Sequence, residues 1–305
     1  DVKLIKAGEQ HPRVVVNDLK TEPIIPGHEA VLIVVGVGDK MKDQYQIGQR
    51  YIIQADIYYK GVNIAYGYAI NGGMAQYSVM NQMILNGDEG SYLLPISDTL
   101  SAAEAALIEP WTCVIAAYRI PIRTGLKNGG VLRVIGDGTS ASQTLGALAR
   151  GGAKPARVVA AHLAGPLREE LARWCGAWGV ALEESSADEP ADDLIVVGAH
   201  EPAALTAYAR QLTRNGVFCL AGAYSSLPLQ VDVGRIHYQY WRYIGTHDQD
   251  LSTAYARNAR TTLKEGGVVW FPGGAGAMGQ MHVQRAVEDA RGPRTIVVSD
   301  LDDTR

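Results

Sequence analysis

The sequence predicts an α/β fold, and three observations predict it. From Gly129 onward, short β-branched runs alternate with segments of helical period. Near the end of the chain, Gly274, Gly276 and Gly279 stand in G-x-G-x-x-G spacing between an apolar run (268–271) and an amphipathic segment, with a second β-branched run (295–298) and Asp300 beyond. Shifting the chain by 138 residues lays Gly136, Gly138 and Ala141 on those three glycines and the run 157–161 on 295–299, so the pattern occurs twice.

The elements follow in order. Residues 1–125 lean toward β structure: runs at 13–16, 30–37, 50–54 and 75–80 are separated by glycine and polar turns, as in a distorted barrel. At 101–107 the pattern turns helical, with Ser101 as cap and Glu104 completing a capping box. The region 126–265 then predicts strands at 131–135, 157–161, 194–197, 216–221 and 242–245. Helices are predicted at 140–150, 166–178, 202–213 and 251–264. The acidic stretch 185–193, SSADEPADD, reads as a solvated loop. Residues 266–305 are the start of a second unit of Rossmann type. The chain opens on DVKL without an initiator methionine and a parallel sheet of two strands cannot bury itself, so the expectation is that the natural protein extends beyond both ends, or that the last segment packs on something outside this chain.

The two glycine turns differ in chemistry. Gly274 permits a tight turn, Gly276 lets backbone N–H groups approach a pyrophosphate, and Gly279 lets helix and strand pack closely. Asp300 stands where a carboxylate takes the hydroxyls of an adenosine ribose, which favours NAD over NADP because a 2′-phosphate would be repelled. In the earlier copy Asp137 puts a carboxylate inside the turn between Gly136 and Gly138, Ala141 replaces the third glycine, and His162 replaces the acid. The later turn is therefore the expected dinucleotide site, and NADP stays open as a second cofactor.

Composition narrows the class. With 305 residues and 47% hydrophobic content, two or three domains with large cores are expected. A net charge of −4 leaves no basic footprint for nucleic acid or an anionic membrane. No apolar run reaches the roughly 18 to 20 residues that span a bilayer, and three scattered cysteines, Cys113, Cys175 and Cys219, form no disulfide framework. A cytoplasmic location is the expectation.

Two stretches carry candidate chemistry. His28 and Glu29 precede the run 30–37, and Glu109 sits among alanines and other apolar residues, where a carboxylate wants a cation or a hydrogen-bonded cluster. A turn pair at 28–29 is the alternative reading of the residues alone. Tyr58, Tyr59, Tyr66 and Tyr68 fill a tyrosine-rich loop that either packs or binds hydroxyls. His237 and His247 flank the last predicted strand of the first unit and read as structural.

GHE at 27–29, VVGVGDKMKDQYQIGQR at 34–50, GGMAQY at 72–77 and AALIEP at 105–110 resemble the zinc-dependent medium-chain dehydrogenases/reductases, nearest the L-sorbose 1-phosphate reductase and sorbitol dehydrogenase branch. The resemblance implies a GroES-like catalytic domain at 1–125, a first Rossmann-like domain with a degenerate fingerprint at 126–265 and the start of a second at 266–305. It implies that His28 ligates a catalytic zinc, that Glu29 lies in the inner sphere, and that Glu109 is a ligand or holds the metal-bound water. The family's cysteine ligand would precede Asp1, and Cys113 reads as a core cysteine. The implied activity is hydride transfer between NAD(H) and a secondary alcohol or ketone of a polyol, sugar or sugar phosphate, by a homo-dimer or homo-tetramer. Two readings stay beside it: a zinc-free reductase, and an NAD-binding sensor or assembly protein on this scaffold.

Overall fold

The computed structural model describes residues 1–11, 13–14, 18–120, 122–222, 229–257 and 261–301. The chain divides into two compact units, one formed by Asp1–Ala116 with Lys264–Arg305, the other by Ala117–Leu263. The strand expected at 13–16 falls largely outside the described residues.

The first unit opens with a short helix α1 (Val2–Ala7) and builds an antiparallel sheet from β1 (Val31–Ile33), β2 (Arg50–Ile53) and, after a hairpin, β5 (Leu93–Pro95). The register sets Leu32 against Tyr51 and Ile52 against Leu94. The hairpin joins β3 (Tyr58–Tyr59) to β4 (Val62–Asn63). Its two central residues, Lys60 and Gly61, both have positive φ (53° and 75°), as a tight two-residue turn demands, and Asp88 accepts both of their N–H groups at 2.7 Å. Ile53, Ile57, Ile64, Tyr66, Ile84 and Tyr92 close the core, with the short helix α2 (Gln82–Leu85) over it. Among the described residues this is a three-stranded sheet and a hairpin, not the expected barrel. The strand expected at 75–80 does not form: Met80 packs against the core, but Val79 and Tyr77 are exposed at 84% and 71%.

Two consecutive helices follow, α3 (Ala102–Ala106) and α4 (Ile108–Ala117). The capping box is made as expected: Ser101 Oγ accepts the Glu104 N–H at 3.2 Å and Glu104 accepts the Ser101 N–H at 2.8 Å. Glu109, expected at the end of a helix full of alanines, does not end the first one. It sits in the first turn of the second.

The second unit is a six-stranded parallel sheet. Its elements are β6 (Val131–Ile135), α5 (Ala147–Arg150), β7 (Arg157–Ala161), α6 (Pro166–Trp178), β8 (Leu182–Glu184), β9 (Ala191–Val197), α7 (Pro202–Ala209), β10 (Leu212–Ala221), α8 (Val233–Tyr238), β11 (Arg242–Thr246) and α9 (Ser252–Arg257). The spatial order β11-β10-β9-β6-β7-β8 is the doubly wound 3-2-1-4-5-6 order read from its far edge. Alternate strand residues serve opposite faces. Leu132, Val134, Val158, Ile195 and Cys219 pack on one, and Ile135, Ala161, Leu194, Val196 and Phe218 on the other. Helix α6 matches its expected span because its punctuation is strong: Pro166 opens it and Gly179, left-handed at φ 75°, closes it.

Three expected helices shrink. That at 140–150 survives only as α5, since Thr139 turns back onto Asp137 and Gly146 takes φ 57°. The helix expected at 202–213 ends at Ala209 because Leu212 and Thr213 already belong to β10. The helix expected at 251–264 is described only as α9, Ser252–Arg257. The acidic stretch also departs from expectation. Residues 185–190 connect β8 to β9, passing β7 and β6, without a crossover helix. Glu189 then pairs with Arg157, and Asp188 accepts from Gln211, which in turn accepts from the buried Arg133. These carboxylates offset guanidinium groups on the sheet, and the stretch is more than a solvated loop.

Residues 264–301 add β12 (Val268–Pro272), α10 (Ala277–Glu288) and β13 (Thr295–Ser299), the two strands parallel with Val268 opposite Thr295. Strand, glycine turn, helix and strand lie where the spacing predicts them.

Candidate active site

His28 is positioned by backbone packing around Gly27. That residue has φ 102°, and a Cβ there would lie 2.8 Å from Met74 N. Gly72 presses against it closely enough that its own Cβ would fall 2.7 Å from Pro26 O. The Gly73 N–H donates to Gly27 O at 2.8 Å, and the Gly27 N–H donates to Asp1 at 2.9 Å. The same Asp1 carboxylate oxygen lies 3.2 Å from His28 Nδ1, a contact that fixes the ring's orientation.

Helix α4 brings Glu109 to this ring. Ligand atoms of His28, Glu29 and Glu109 all lie within 4.8 Å of one another. One imidazole nitrogen and two carboxylates form a donor set that suits zinc, whose tetrahedral ligands stand about 3.3 Å apart at the usual bond lengths. Glu109 is half-buried, and burial pushes its carboxyl above the usual range. His28 draws it back, while Glu29 and Asp56 push it further up.

Cys113, expected in the core, lies one helical turn on and half-buried, its thiol donating to Glu109 Oε1 at 3.8 Å. Burial and the Glu109 carboxylate push that thiol up to about 11, so near neutral pH it is protonated and weakly nucleophilic.

The surroundings hold residues that the sequence reading did not single out. Asp56 pairs with Arg13 and accepts from Asn63 Nδ2 at 3.4 Å. Of the four tyrosines in the loop, Tyr68 stands at the site: its ring centroid is 5.4 Å from that of His28 and 5.1 Å from that of His11, with the Arg13 guanidinium 5.6 Å away. Tyr66 is buried and bonds Ser78 at 3.1 Å, and Tyr59 lies under Lys60. A signal for Asp56 was available, because a charge between Ala55 and Ile57 demands a partner.

The two glycine turns differ as strongly in space as in sequence. After β6, the Asp137 carboxylate fills the turn, accepting the Thr139 N–H at 2.9 Å, the Thr139 hydroxyl at 2.6 Å and, from the loop after β9, the Ala199 N–H at 2.8 Å. These bonds hold its pKa down to about 2. Gly136 packs against His162 and Leu163 backbone, Gly138 (φ 85°) stands open, Ala141 enters the core and His162 is exposed. No helix begins until Ala147.

After β12, by contrast, α10 begins at once, with Gly276 as its cap and no side chain capping it. A Cβ on Gly274 would strike the Val298 side chain, and one on Gly279 would lie 2.7 Å from Gly274 Cα, whereas one on Gly276 would meet nothing closer than 3.5 Å. The first and third glycines are fixed by packing, and the middle one faces open space, as close approach of a pyrophosphate requires. Asp300 accepts the Ala275 N–H at 3.1 Å, which places the carboxylate beside the turn. His237 is exposed on α8, and His247 Nδ1 lies 2.8 Å from Gly222 O.

No protein-family model matches the chain. Among curated proteins it is 32% identical over 165 residues to mannitol-1-phosphate 5-dehydrogenase of Aliivibrio fischeri, covering 50% of this chain and 37% of that one. It is 35% identical over 113 residues to L-sorbose 1-phosphate reductase of Klebsiella pneumoniae, covering 36% and 26%. Over 264 residues it is 26% identical to sorbitol dehydrogenase of Bacillus subtilis, covering 77% and 70%. The chain thus spans little more than a third of the first of these relatives. These relatives are named as sugar-phosphate and polyol dehydrogenases or reductases, in line with the branch the sequence resembles. Solved structures such as 2R,3R-butanediol dehydrogenase of Bacillus subtilis align at 17% identity over 91% of this chain and 81% of that one, with a TM-score of 0.29, too low to carry an argument. Among the described residues no helix is long and apolar enough to cross a membrane.

Proposed function

We propose that this chain is part of a zinc- and NAD-dependent oxidoreductase that moves a hydride between the cofactor and a secondary alcohol or ketone of a polyol, sugar or sugar phosphate. The observation that carries the reading is the convergence of His28, Glu29 and Glu109 within 4.8 Å, from two separate stretches of sequence. The relatives' names, which include two sugar-phosphate enzymes and a sorbitol dehydrogenase, support the substrate class. In this reading residues 1–125 form a GroES-like catalytic domain, 126–265 a Rossmann-like domain and 266–305 the start of a second one. The protein works in the cytoplasm as a homo-oligomer.

His28 and Glu109 would hold the zinc, with Glu29 in its inner sphere. When bound, zinc supplies a Lewis acid for the substrate oxygen, and NAD supplies the hydride acceptor. The chain's own residues then position the reactants. Asp1 fixes the His28 ring, the uncapped N-terminus of α10 receives the pyrophosphate, and Asp300 leaves the Ala275 N–H to take the ribose hydroxyls. Gly136 and Gly138 line a turn in which Asp137 accepts from Thr139 and the two glycine N–H groups donate to Ala161 O and His162 O, so the later turn, with Gly274, Gly276 and Gly279, is the assigned cofactor site.

Metal analysis of the purified protein tests this. About one zinc per chain is expected for the wild type and a large loss for His28→Ala and Glu109→Ala. Wild-type protein that turns over without zinc would replace this reading with a zinc-free reductase. Tight NAD binding without turnover of any polyol would replace it with a sensor.

A further inference from the structure

The backbone and the side chain of Glu109 are each bonded from the next turn of their own helix. Glu109 stands in the first turn of α4, and Thr112 and Cys113 follow three and four positions later. Helical side chains lean back toward the N-terminus, so both of these groups reach the residue one turn earlier. Thr112 Oγ1 donates to the Glu109 carbonyl at 2.7 Å, and the Cys113 thiol donates to Glu109 Oε1 at 3.8 Å. Among the described residues no other hydrogen bond reaches the Glu109 carboxylate.

The bond separates the two oxygens of that carboxylate. The last torsion of a glutamate is broad, and a carboxylate free at both oxygens turns easily and meets an ion through either one. With a donor on Oε1, the carboxylate has a fixed plane and a preferred free oxygen. The kind of donor also matters. Glu109 is half-buried in the company of the Glu29 and Asp56 carboxylates, where a carboxylate without a hydrogen bond is costly. A lysine or arginine in this place would offset that cost and cancel the charge a cation needs, whereas a neutral S–H orients and leaves the charge in place. The thiol itself lies outside the donor set: the groups whose ligand atoms converge within 4.8 Å are His28, Glu29 and Glu109, and among the described residues Cys113 does not join them.

Resting on the function proposed above, we infer that Cys113 is a positioning residue of the candidate metal site. Its thiol holds Glu109 Oε1 and leaves Oε2 for the ion, as an outer group orients the ligand that it bonds. The thiol does not ligate the ion and does not meet the substrate.

The test is a cobalt(II) titration of the metal-free full chain, followed by visible and near-ultraviolet absorption, with circular dichroism recorded for each variant. Cys113→Ala and Cys113→Ser leave nearly the same space and differ in whether a donor remains. Cys113→Ala should bind cobalt about tenfold more weakly than wild type, the lower end of what losing an outer partner costs a metal site. Its visible band should shift, because the Glu109 oxygen at the ion is no longer held. Cys113→Ser should recover most of the affinity. Equal affinity in wild type and a folded Cys113→Ala protein overturns the inference, and so does an equal loss in both variants, which would make Cys113 a packing residue. A sulfur-to-cobalt charge-transfer band that vanishes in Cys113→Ala would make the thiol a ligand and overturn it as well. Wild type that takes up no cobalt overturns the metal assignment and this inference with it, whereas the other outcomes, read on protein that does take it up, overturn this one alone.

Discussion

The turn after β6 and the turn after β12 share a spacing and differ in almost everything that spacing is meant to secure. The first crowns a complete 3-2-1-4-5-6 sheet, yet a carboxylate fills it and no helix starts there. The second crowns only two strands, yet its middle glycine faces open space and a helix of 12 residues points its bare N-terminus at that space. Sheet and anion site therefore have separate causes. Strand order follows from apolar residues alternating on two faces. Phosphate affinity follows from a few backbone N–H groups left without partners. With Asp137 bonded to Thr139 and Ala199, and the Gly136 and Gly138 N–H groups on Ala161 O and His162 O, the first turn keeps its sheet and has few donors to offer.

The largest effect that could break this contrast is on cofactor affinity. Gly276→Asp rebuilds in the second turn the charge that Asp137 brings to the first, and NAD affinity, measured by calorimetry, should fall at least about 100-fold, or about 2.7 kcal/mol. An affinity that survives would move the cofactor to the other turn. Asp137→Gly should not create a second NAD site, because removing the charge restores no helix before Ala147. Two NAD per chain in that variant would show that charge alone separated the two turns.

Next in size is packing. Ala141 in the first turn sits in the core without conflict, since no helix crosses there, whereas a Cβ on Gly279 would stand 2.7 Å from Gly274 Cα. Gly279→Ala should cost about 1–3 kcal/mol in stability, as overpacking does, read as a lowered Tm. A neutral result would mean that α10 can lift from its strand.

How much of this was legible in the sequence follows the same division. Strands β6 and β7 and helix α6 lie at their predicted bounds because β-branched runs and Pro/Gly punctuation act locally. The helix expected at 140–150 was illegible, since its fate turns on one Asp137 side chain competing for the Thr139 N–H. The trio His28, Glu29 and Glu109 was reachable through a carboxylate among apolar neighbours and through resemblance. Arg13 and Asp1 left no signal, because contacts between distant segments leave no period to count, whereas Asp56, a charge between Ala55 and Ile57, was legible as a group in need of a partner. The loop tyrosines could not be ranked from sequence, and the fold selects Tyr68 by placing its ring beside His28.

Asp300 sharpens the contrast at about tenfold. Its carboxylate stands beside the second turn, where the first has the exposed His162. Asp300→Asn should weaken NAD about tenfold, near 1.4 kcal/mol, and narrow the gap to NADP, because the repulsion of a 2′-phosphate is removed. Unchanged preference would mean that discrimination lies elsewhere in the chain.

The smallest effect concerns what Asp137 gives the first turn in place of a ligand. Its pKa is about 2 in the folded chain against 3.8 for a free carboxylate, so the charged form is favoured by folding. A depressed carboxylate contributes stability above the unfolded pKa and loses it as pH falls through the folded one. The contribution is therefore complete above about pH 4 and gone below about pH 2. Because solvent reaches the group, its worth is discounted to on the order of 1 kcal/mol. Asp137→Asn should lower the Tm at pH 7 by a few degrees, and the difference from wild type should shrink between about pH 4 and pH 2, where the Asp137 carboxyl takes up its proton and is neutral like the amide. Equal stability at pH 7 would mean that the three hydrogen bonds to Asp137 are matched by water in the unfolded chain, and the first turn would then have given up phosphate without a structural return.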